Sequence, residues 1–381
     1  MKPTTIDEMI KDGCTMKFAK FYYDLLEKEE KSGLFDKELV NWAHSKGFLA
    51  ESACAYGLSD ENYLDYLSDY DYYKAWPLNS WMRIWVNDKL TLKYMLAGTK
   101  YDEIMPKYYF YSTEDGLKSL IDNIDGKQSV EGLIEVLKEV GSLACKPANG
   151  TGSNGFFHIQ YDGNIRINGK VSKEEDIEKF VMDHPNYVFT EYLFPISDLA
   201  ELSNNIIHTL RLVVLNEEGN NPSIEGGYFR FATKAHGATN HMNDEGNGQA
   251  EFDLVTQIDY VTGEFGDAYA VYHDRKNKMK LHPDTGKVIA GKIDNWEEIK
   301  KNVLEIAKFF FGVEWIGFDL CIDSNGKLRI MEINTHPGIK YMQLYQPLYK
   351  KANIKQYITN KLLQINDMDA EKKEHRVKTP R

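Results

Sequence analysis

The sequence predicts an α+β fold preceded by a helical N-terminal region. Three observations carry this. Residues 1–80 place apolar side chains at helical spacing and show neither βαβ alternation nor a glycine-rich dinucleotide fingerprint. Residues 81–190 mix short helices with strands rich in aromatic and β-branched residues. From residue 207 onward strands dominate, and Asn325-Gly326 sits between two apolar runs as a hairpin turn.

The elements follow in order. "MKFAKFYYDLLEKEEKSG" predicts a helix that stops at Gly33, and "KELVNWAHSKGF" predicts another. "SDENYLDYLSDYDYYKAW" predicts a further helix with Ser59 as its N-cap, and Pro77 closes the region. "NDKLTLKYML" reads as a short helix and "KYYFY", after Pro106, as a strand. "TEDGLKSLIDNI" and "SVEGLIEVLKEV" read as helices. "SLACKPA" is a strand entering a glycine-rich stretch, and "GFFHIQY" is the strand leaving it. "NIRING" adds a strand with a glycine turn, "KEEDIEKFVMDH" a helix and "YVFTEYLF" a strand. "IHTLRLVVL" and "EGGYFRFAT" predict an antiparallel pair, and residues 251–285 read as strand and turn. "NWEEIKKNVLEIAKFFF" is an amphipathic helix, "WIGFDLCIDSNGKLRIMEIN" the hairpin and "NIKQYITNKLLQI" a closing helix. The charged tail "EKKEHRVKTPR" reads as disordered.

Composition bounds the function. The 381 residues are 42% hydrophobic and 27% charged, enough to bury a sizeable core. The formal net charge of -12 disfavours wrapping nucleic acid, so any phosphate site must be local. Cys14, Cys54, Cys145 and Cys321 lie far apart without a CxxC spacing, and read as small buried hydrophobes in a reducing compartment. "MKPTTIDEMIKDG" lacks the apolar core of a signal peptide, and the longest apolar runs are strand-sized. A soluble, cytoplasmic protein without membrane insertion is expected.

The chemistry starts at the hairpin. Glu332 and Asn334 are two apart on one strand and so share a face, and Asp319 on the paired strand can lie beside them. Two carboxylates and a carboxamide form a hard-oxygen set suited to Mg²⁺. The alternative is a polar hairpin face that meets water, and the hairpin alone does not decide between them. In "CKPANGTGSNG", Lys146 precedes Gly150, Gly152, Ser153 and Gly155. The lysine comes before the glycines and a strand follows, which argues for a hairpin lid over phosphate rather than a P-loop, or else for a plain turn. Arg211 and Arg230 sit mid-strand among apolar residues, where each needs an acid or a phosphate. Lys89 and Lys93 are four apart on one helical face, either facing an anion or facing solvent.

In this order, "NDKLTLK", "CKPANGTGSNG", "FTEYL", "LRLVVL", "GFDLCID" and "MEINTHPG" resemble the ATP-grasp superfamily over roughly residues 87 to 340. "PLNSWMRIWVNDKL", "DLAELSNNIIHTLR" and "HPDTGKVIAGKIDNWEEI" are similar to its sugar-transfer-associated branch, found near polysaccharide genes. The resemblance implies two α+β lobes gripping ATP. It divides the chain into a helical region (1–86), an N-terminal lobe with the lid (87–190), a C-terminal lobe with the metal site (191–365) and a tail (366–381). It implies Lys89 and Lys146 on the ATP phosphates, Gly150 to Gly155 closing over them, and the backbone of Glu191 and Leu193 against adenine. It implies Asp319, Glu332 and Asn334 holding one or two Mg²⁺ ions, with Mn²⁺ as an alternative. Arg211 would face the γ-phosphate or an acyl-phosphate, while Arg230, Asn240, Asn243 and Gly248 would border an acceptor pocket. Many relatives place an arginine after the Glu-x-Asn; here Thr335 and His336 follow, and His336 takes that role or binds substrate. The usual α/β domain before the lobes is not visible in residues 1–80. The implied activity is ATP-dependent carboxylate–amine or carboxylate–hydroxyl ligation through an acyl-phosphate, on a peptide, amino acid or sugar-acid conjugate. Phosphotransfer and nucleotide binding without turnover are the alternatives.

Overall fold

The computed structural model describes residues 1–150, 152, 154–242 and 249–376. Five helices open the chain: α1 (Ile6–Lys11), α2 (Met16–Ser32), α3 (Lys37–Lys46), α4 (Ala50–Tyr56) and α5 (Asp69–Ala75). Gly33 and Gly47 end α2 and α3 in the left-handed region, where a residue without Cβ is least strained. The buried Glu29 of α2 organises this region. Its carboxylate accepts the free N–H groups of Ala50 and Glu51 at the start of α4 (2.8 and 2.9 Å) and contacts His44 Nε2 (2.8 Å). The helix read from Ser59 breaks into a 3₁₀ turn at Tyr63–Asp65 and then α5, whose cap is Ser68. The reason is tertiary: the side chain of Gln343 takes both the N–H and the C=O of Leu67, so the helix cannot run through it.

Helices α6 (Met82–Asn87) and α7 (Lys89–Leu96) lead into the first sheet. Its strands are β1 (Tyr108–Thr113), β2 (Gly116–Ser119), β3 (Ser142–Pro147), β4 (Phe157–Tyr161), β5 (Ile165–Ile167), β6 (Lys170–Ser172) and β7 (Tyr187–Glu191). They pair antiparallel in the order β2-β1-β7-β3-β4-β5-β6. Helices α8 (Val130–Val140) and α9 (Glu174–Asp183) cover one face, with Leu133, Leu137, Ile177 and Phe180 against Phe110, Cys145, Ile159 and Phe189. The segment "TEDGLKSLIDNI", expected as a helix, forms β2 and a 3₁₀ turn instead. Gly116, at φ +117°, turns the chain back so that Leu117 pairs with Ser112.

Residues 192–208, with the short α10 (Ser197–Ala200), pass to the second sheet. There β8 (Thr209–Leu215), β9 (Ser223–Phe231), β10 (Asp253–Ile258), β11 (Glu264–Val271), β12 (Lys276–Met279), β13 (Gly291–Lys292), β14 (Trp315–Ile322) and β15 (Leu328–Asn334) pair antiparallel. The order is β12-β11-β10-β9-β8-β14-β15, with β13 beside β11. One face packs Leu210, Leu212, Phe229, Phe318 and Leu320 against α7 and α11 (Trp296–Phe309). On the other, Val213, Tyr228, Val255 and Trp315 meet α5, α12 (Lys340–Gln343) and α13 (Ala352–Asn366). The expected disordered tail is corrected in part. Residues Ala370–His375 form α14, and Arg376 donates to the carbonyls of Gly13 and Lys74 (3.1 and 2.6 Å). Residues 377–381 lie outside the described residues. Among the described residues, no helix is long and apolar enough to cross a membrane.

The helical region braces the hairpin β14–β15. Buried Asn79 donates to the carbonyls of Trp315 and Thr335 (2.8 and 2.7 Å) and accepts from the N–H groups of Glu314 and Trp315 (2.7 and 2.8 Å). All the hydrogen-bonding positions of this amide are used, and removing it orphans four buried or half-buried backbone groups. Asn79→Ala is therefore expected to lower unfolding free energy by about 2–4 kcal/mol, read as a shifted urea midpoint. An unchanged midpoint would show that the brace carries no weight.

Candidate functional site

The hairpin register settles the polar face. Asp319 lies opposite Glu332, Gly317 opposite Asn334, and a bulge follows Asp319. On the other side of β14, Asp319 lies opposite Arg211 of β8. Glu332, Asp319 and Arg211 therefore form one row across three strands.

The row is packed and charge-balanced. Arg211 grips Asp319 with two parallel bonds, from Nε to Oδ1 and from Nη2 to Oδ2 (2.8 Å). Both residues are buried. The Asn334 amide reaches Asp319 Oδ2 (3.2 Å) and Glu332 Oε1 (3.1 Å). Lys89 Nζ stands 3.2 Å from Glu332 Oε2 and donates to the Gly150 carbonyl (2.7 Å). Its own N–H donates to the Ala148 carbonyl (2.8 Å). Lys89 thus ties the start of α7 and the glycine loop to the Glu-x-Asn strand. Burial works against charge on Glu332, but Lys89 and the contacts with Asp319 and Asn334 outweigh it and hold the carboxyl down at about 2. Burial pushes Asp319 up, against the pull of Arg211 and with the repulsion of Glu332. By residue type the set suits a hard divalent cation, two carboxylates and a carboxamide without thiol or imidazole; here the Asn334 Nδ2 bridges the two carboxylates, so its oxygen would have to turn toward a bound ion. Among the described residues no group of three or more His, Cys, Asp or Glu side chains is placed to hold a metal ion.

Lys146 is the penultimate residue of β3, close enough to Lys89 and Glu332 to feel both charges. Burial and the neighbouring Lys89 cation push its ammonium down to about 8, with Glu332 pulling the other way. The glycine stretch is the turn of the β3–β4 hairpin, as the sequence predicts, with Cys145 opposite Phe157 and turned into the core. Gly155 is at φ +72°, and a Cβ there would lie 2.4 Å from Tyr187 Oη, so any side chain is strained and must displace that hydroxyl. Gly150 supplies the carbonyl that Lys89 holds, Gly152 sits at φ +68°, and Ser153 lies outside the described residues. Asn149 Oδ1 accepts from Asn186 Nδ2 (3.1 Å), fastening the start of the turn.

Glu191 and Leu193 lie where the first sheet hands over to the second. The N–H of Glu191 is committed to the Lys107 carbonyl (2.8 Å), which removes it as an adenine donor. Its carboxylate pairs with Arg329, which also binds Asp323 (3.2 Å). Pro195 bridges to Asp323, so this corner joins the two sheets directly. Arg329 went unremarked in the sequence because both of its acids are distant or in a turn.

One expectation is decided and two change. Lys93, read as facing either an anion or solvent, is buried and paired with two structural carboxylates, Asp102 and Asp122 (3.1 and 3.0 Å). His336 does not replace an arginine. Its ring stacks on Tyr72 of α5 (4.0 Å between centroids), both ring nitrogens are buried without a hydrogen-bond partner, and burial with nearby Lys17 pushes it down to about 3. It is a neutral packing group. Arg230 meets a carboxamide rather than an acid, donating to Asn240 Oδ1 (3.1 Å). Asn243 and Gly248 lie outside the described residues. Two further side chains shape the site without a sequence signal: Asn87 accepts the Thr335 N–H (3.1 Å), and Tyr72 donates to the Pro337 carbonyl (2.6 Å). Each bonds a residue some 250 positions away, which local pattern does not encode.

A sequence model of the sugar-transfer associated ATP-grasp family matches residues 82–356. A search of curated proteins found no match. Among solved structures, D-alanyl-alanine synthetase A from Vibrio cholerae is 14% identical with a TM-score of 0.40, over 73% of this chain and 66% of that one. D-cycloserine synthetase is 10% identical with a TM-score of 0.40, over 74% and 71%. An ATP-grasp ligase complexed with a minimal precursor is 14% identical with a TM-score of 0.34, over 70% of this chain and only 57% of its own length.

The Arg211–Asp319 pair generates a stability test. Arg211→Ala leaves Asp319 buried without its bidentate partner and is expected to cost about 3–5 kcal/mol. Arg211→Ala with Asp319→Ala should cost less than the sum of the two single variants. Additive losses in chemical denaturation would show that the pair is not coupled.

Proposed function

The chain belongs to the sugar-transfer-associated ATP-grasp family, and on that footing we propose that it is an ATP-dependent carboxylate–amine or carboxylate–hydroxyl ligase. One observation carries the proposal: Glu332, Asp319 and Asn334 converge on a single sheet face, with Arg211, Lys89 and Lys146 around them and a glycine hairpin above. Such a site holds polyanions beside a hard cation. Asp319, Glu332 and Asn334 would hold Mg²⁺, which when bound supplies charge neutralisation for the ATP phosphates.

The protein's own residues do the rest. Lys146 and Lys89 hold phosphate oxygens and lower the repulsion between the γ-phosphoryl group and an approaching carboxylate. The carboxylate oxygen attacks the γ-phosphorus, and the bond to the bridging oxygen breaks with its electron pair going to ADP. Arg211, fixed by Asp319 through two of its five N–H groups, presents the remaining donors to the transferred group. The hairpin from Gly150 to Gly155 covers the phosphates and excludes water, which would hydrolyse the acyl-phosphate. An amine or hydroxyl then takes the acyl group and phosphate leaves. Adenine lies towards Leu193, at the corner that Arg329 and Glu191 tie together.

The test is ADP and phosphate release across a panel of amino acids, dipeptides and hexuronic acids, each with an amine. ADP with free phosphate and an amide or ester supports ligation; phosphate retained on the product makes the protein a phosphotransferase. Glu332→Gln is expected to lower turnover by at least about 100-fold with the fold intact, and full turnover in that variant would remove the metal assignment. Lys146→Ala is expected to weaken ATP binding roughly tenfold or more, the loss of one charge-assisted bond. Unchanged calorimetric affinity would count against the phosphate role.

A further inference from the structure

The proposed second step needs a proton acceptor, and the site described so far offers none that is uncommitted: Asp319 and Glu332 are paired with Arg211 and Lys89, the site's other side chain Lys146 is a cation, and His336 is buried in an aromatic stack. A second polar group lies on the same sheet face. Thr209 is two residues before Arg211 on β8 and lies opposite Arg230 of β9, which lies opposite Val255 of β10. Asp253 is two residues before Val255. By register, Glu332, Asp319, Arg211, Arg230 and Asp253 therefore face one way on five successive strands, β15 to β10.

Asn240 fastens a loop to this face. Its amide donates to Thr209 Oγ1 (2.9 Å) and to the Ile207 carbonyl (2.8 Å), and its oxygen accepts from Arg230 Nε (3.1 Å). The next residue, His241, points Nδ1 at the carboxylate of Asp253 (3.0 Å). Asp253 is fully buried and also accepts the Met242 N–H (2.6 Å) and the Tyr341 hydroxyl. A carboxylate that accepts from Nδ1–H leaves Nε2 as the free lone pair of a neutral imidazole. The His241 side chain is 28% exposed, whereas the neighbouring His236 is buried with its Nδ1 against Thr233 (2.8 Å). Only one of the two rings can meet a substrate.

We propose that His241, positioned by Asp253, accepts the proton of the attacking amine or hydroxyl in the second half-reaction. This rests on the ligase reading above. The nucleophile's nitrogen or oxygen forms a bond to the acyl carbon. The bond from that carbon to the phosphate oxygen breaks, with its pair leaving on phosphate. The proton of the nucleophile passes to His241 Nε2 and from there to solvent. Asp253 never touches substrate; it fixes the tautomer and the ring direction.

The test separates the two half-reactions. Hydroxylamine is neutral near pH 7 and traps acyl-phosphates without a base, so hydroxamate formation reports the first step alone. The probes are the same panel of amino acids, dipeptides and hexuronic acids, with hydroxylamine in one arm and an amino-acid amide as acceptor in the other. His241→Asn keeps a donor to Asp253 and so preserves the loop. In this variant hydroxamate formation should stay within about threefold of wild type while amide formation falls by about 100-fold or more. Added imidazole should restore amide formation in His241→Gly. Parallel loss of both products, or undiminished amide formation, would overturn the role of His241 alone. A wild-type protein that forms no hydroxamate and releases no ADP with any carboxylate would overturn the ligase reading and this inference with it.

Discussion

Two carboxylates facing each other on a buried sheet face are unstable unless their charge is offset, and that constraint organises the molecule. Asp319 and Glu332 are drawn from paired strands by register, so neither can turn away from the other. Arg211 from one side and Lys89 from the other supply the compensating charge. The two cations come from different sheets' surroundings: Arg211 from β8, Lys89 from the helix that precedes the first sheet. Charge balance therefore ties α7 to the hairpin of the second sheet, and Lys89 carries the glycine turn of the first with it through the Gly150 carbonyl.

The helical N-terminal region belongs to the same design. Asn79 and Asn87 hold the backbone on either side of the hairpin's ends, and Tyr72 reaches both Trp315 and Pro337. These contacts fix the position of Thr335 and so of Asn334 before it. The stack of His336 on Tyr72 has the same effect: a polar ring beside the acidic strand is held out of the cleft by aromatic packing. A row of buried, paired charges keeps its alignment only with this kind of support.

Much of the fold was legible where local and global signals agree. The Asn325-Gly326 turn, the apolar alternation on both sides of it and the placement of Glu332 and Asn334 on one face all follow from a period of two. Gly155 is legible as a turn residue, and only the fold shows that a side chain there must displace the Tyr187 hydroxyl. Reading failed where a distant partner overrides propensity. Gln343 breaks the helix at Leu67, and pairing with β1 makes a strand of residues 116–119 that hold helix-compatible side chains. The spacing of Lys93 leaves anion or solvent open, and only the fold brings Asp102 and Asp122 around it.

The sequence by itself determined the element types of most of the chain, the shared strand face of Glu332 and Asn334, the β3–β4 hairpin with Lys146 before its glycines, and the family. These depend on spacing and residue type within a few positions, which local backbone geometry preserves. Tertiary structure alone decided which charge meets which. Arg211 answers Asp319 108 positions away, Lys89 answers Glu332, and His241 rather than His336 meets a buried carboxylate. A side chain's chemistry is written in the chain, but its partner, its burial and hence its protonation are set by strand order, which no local pattern records.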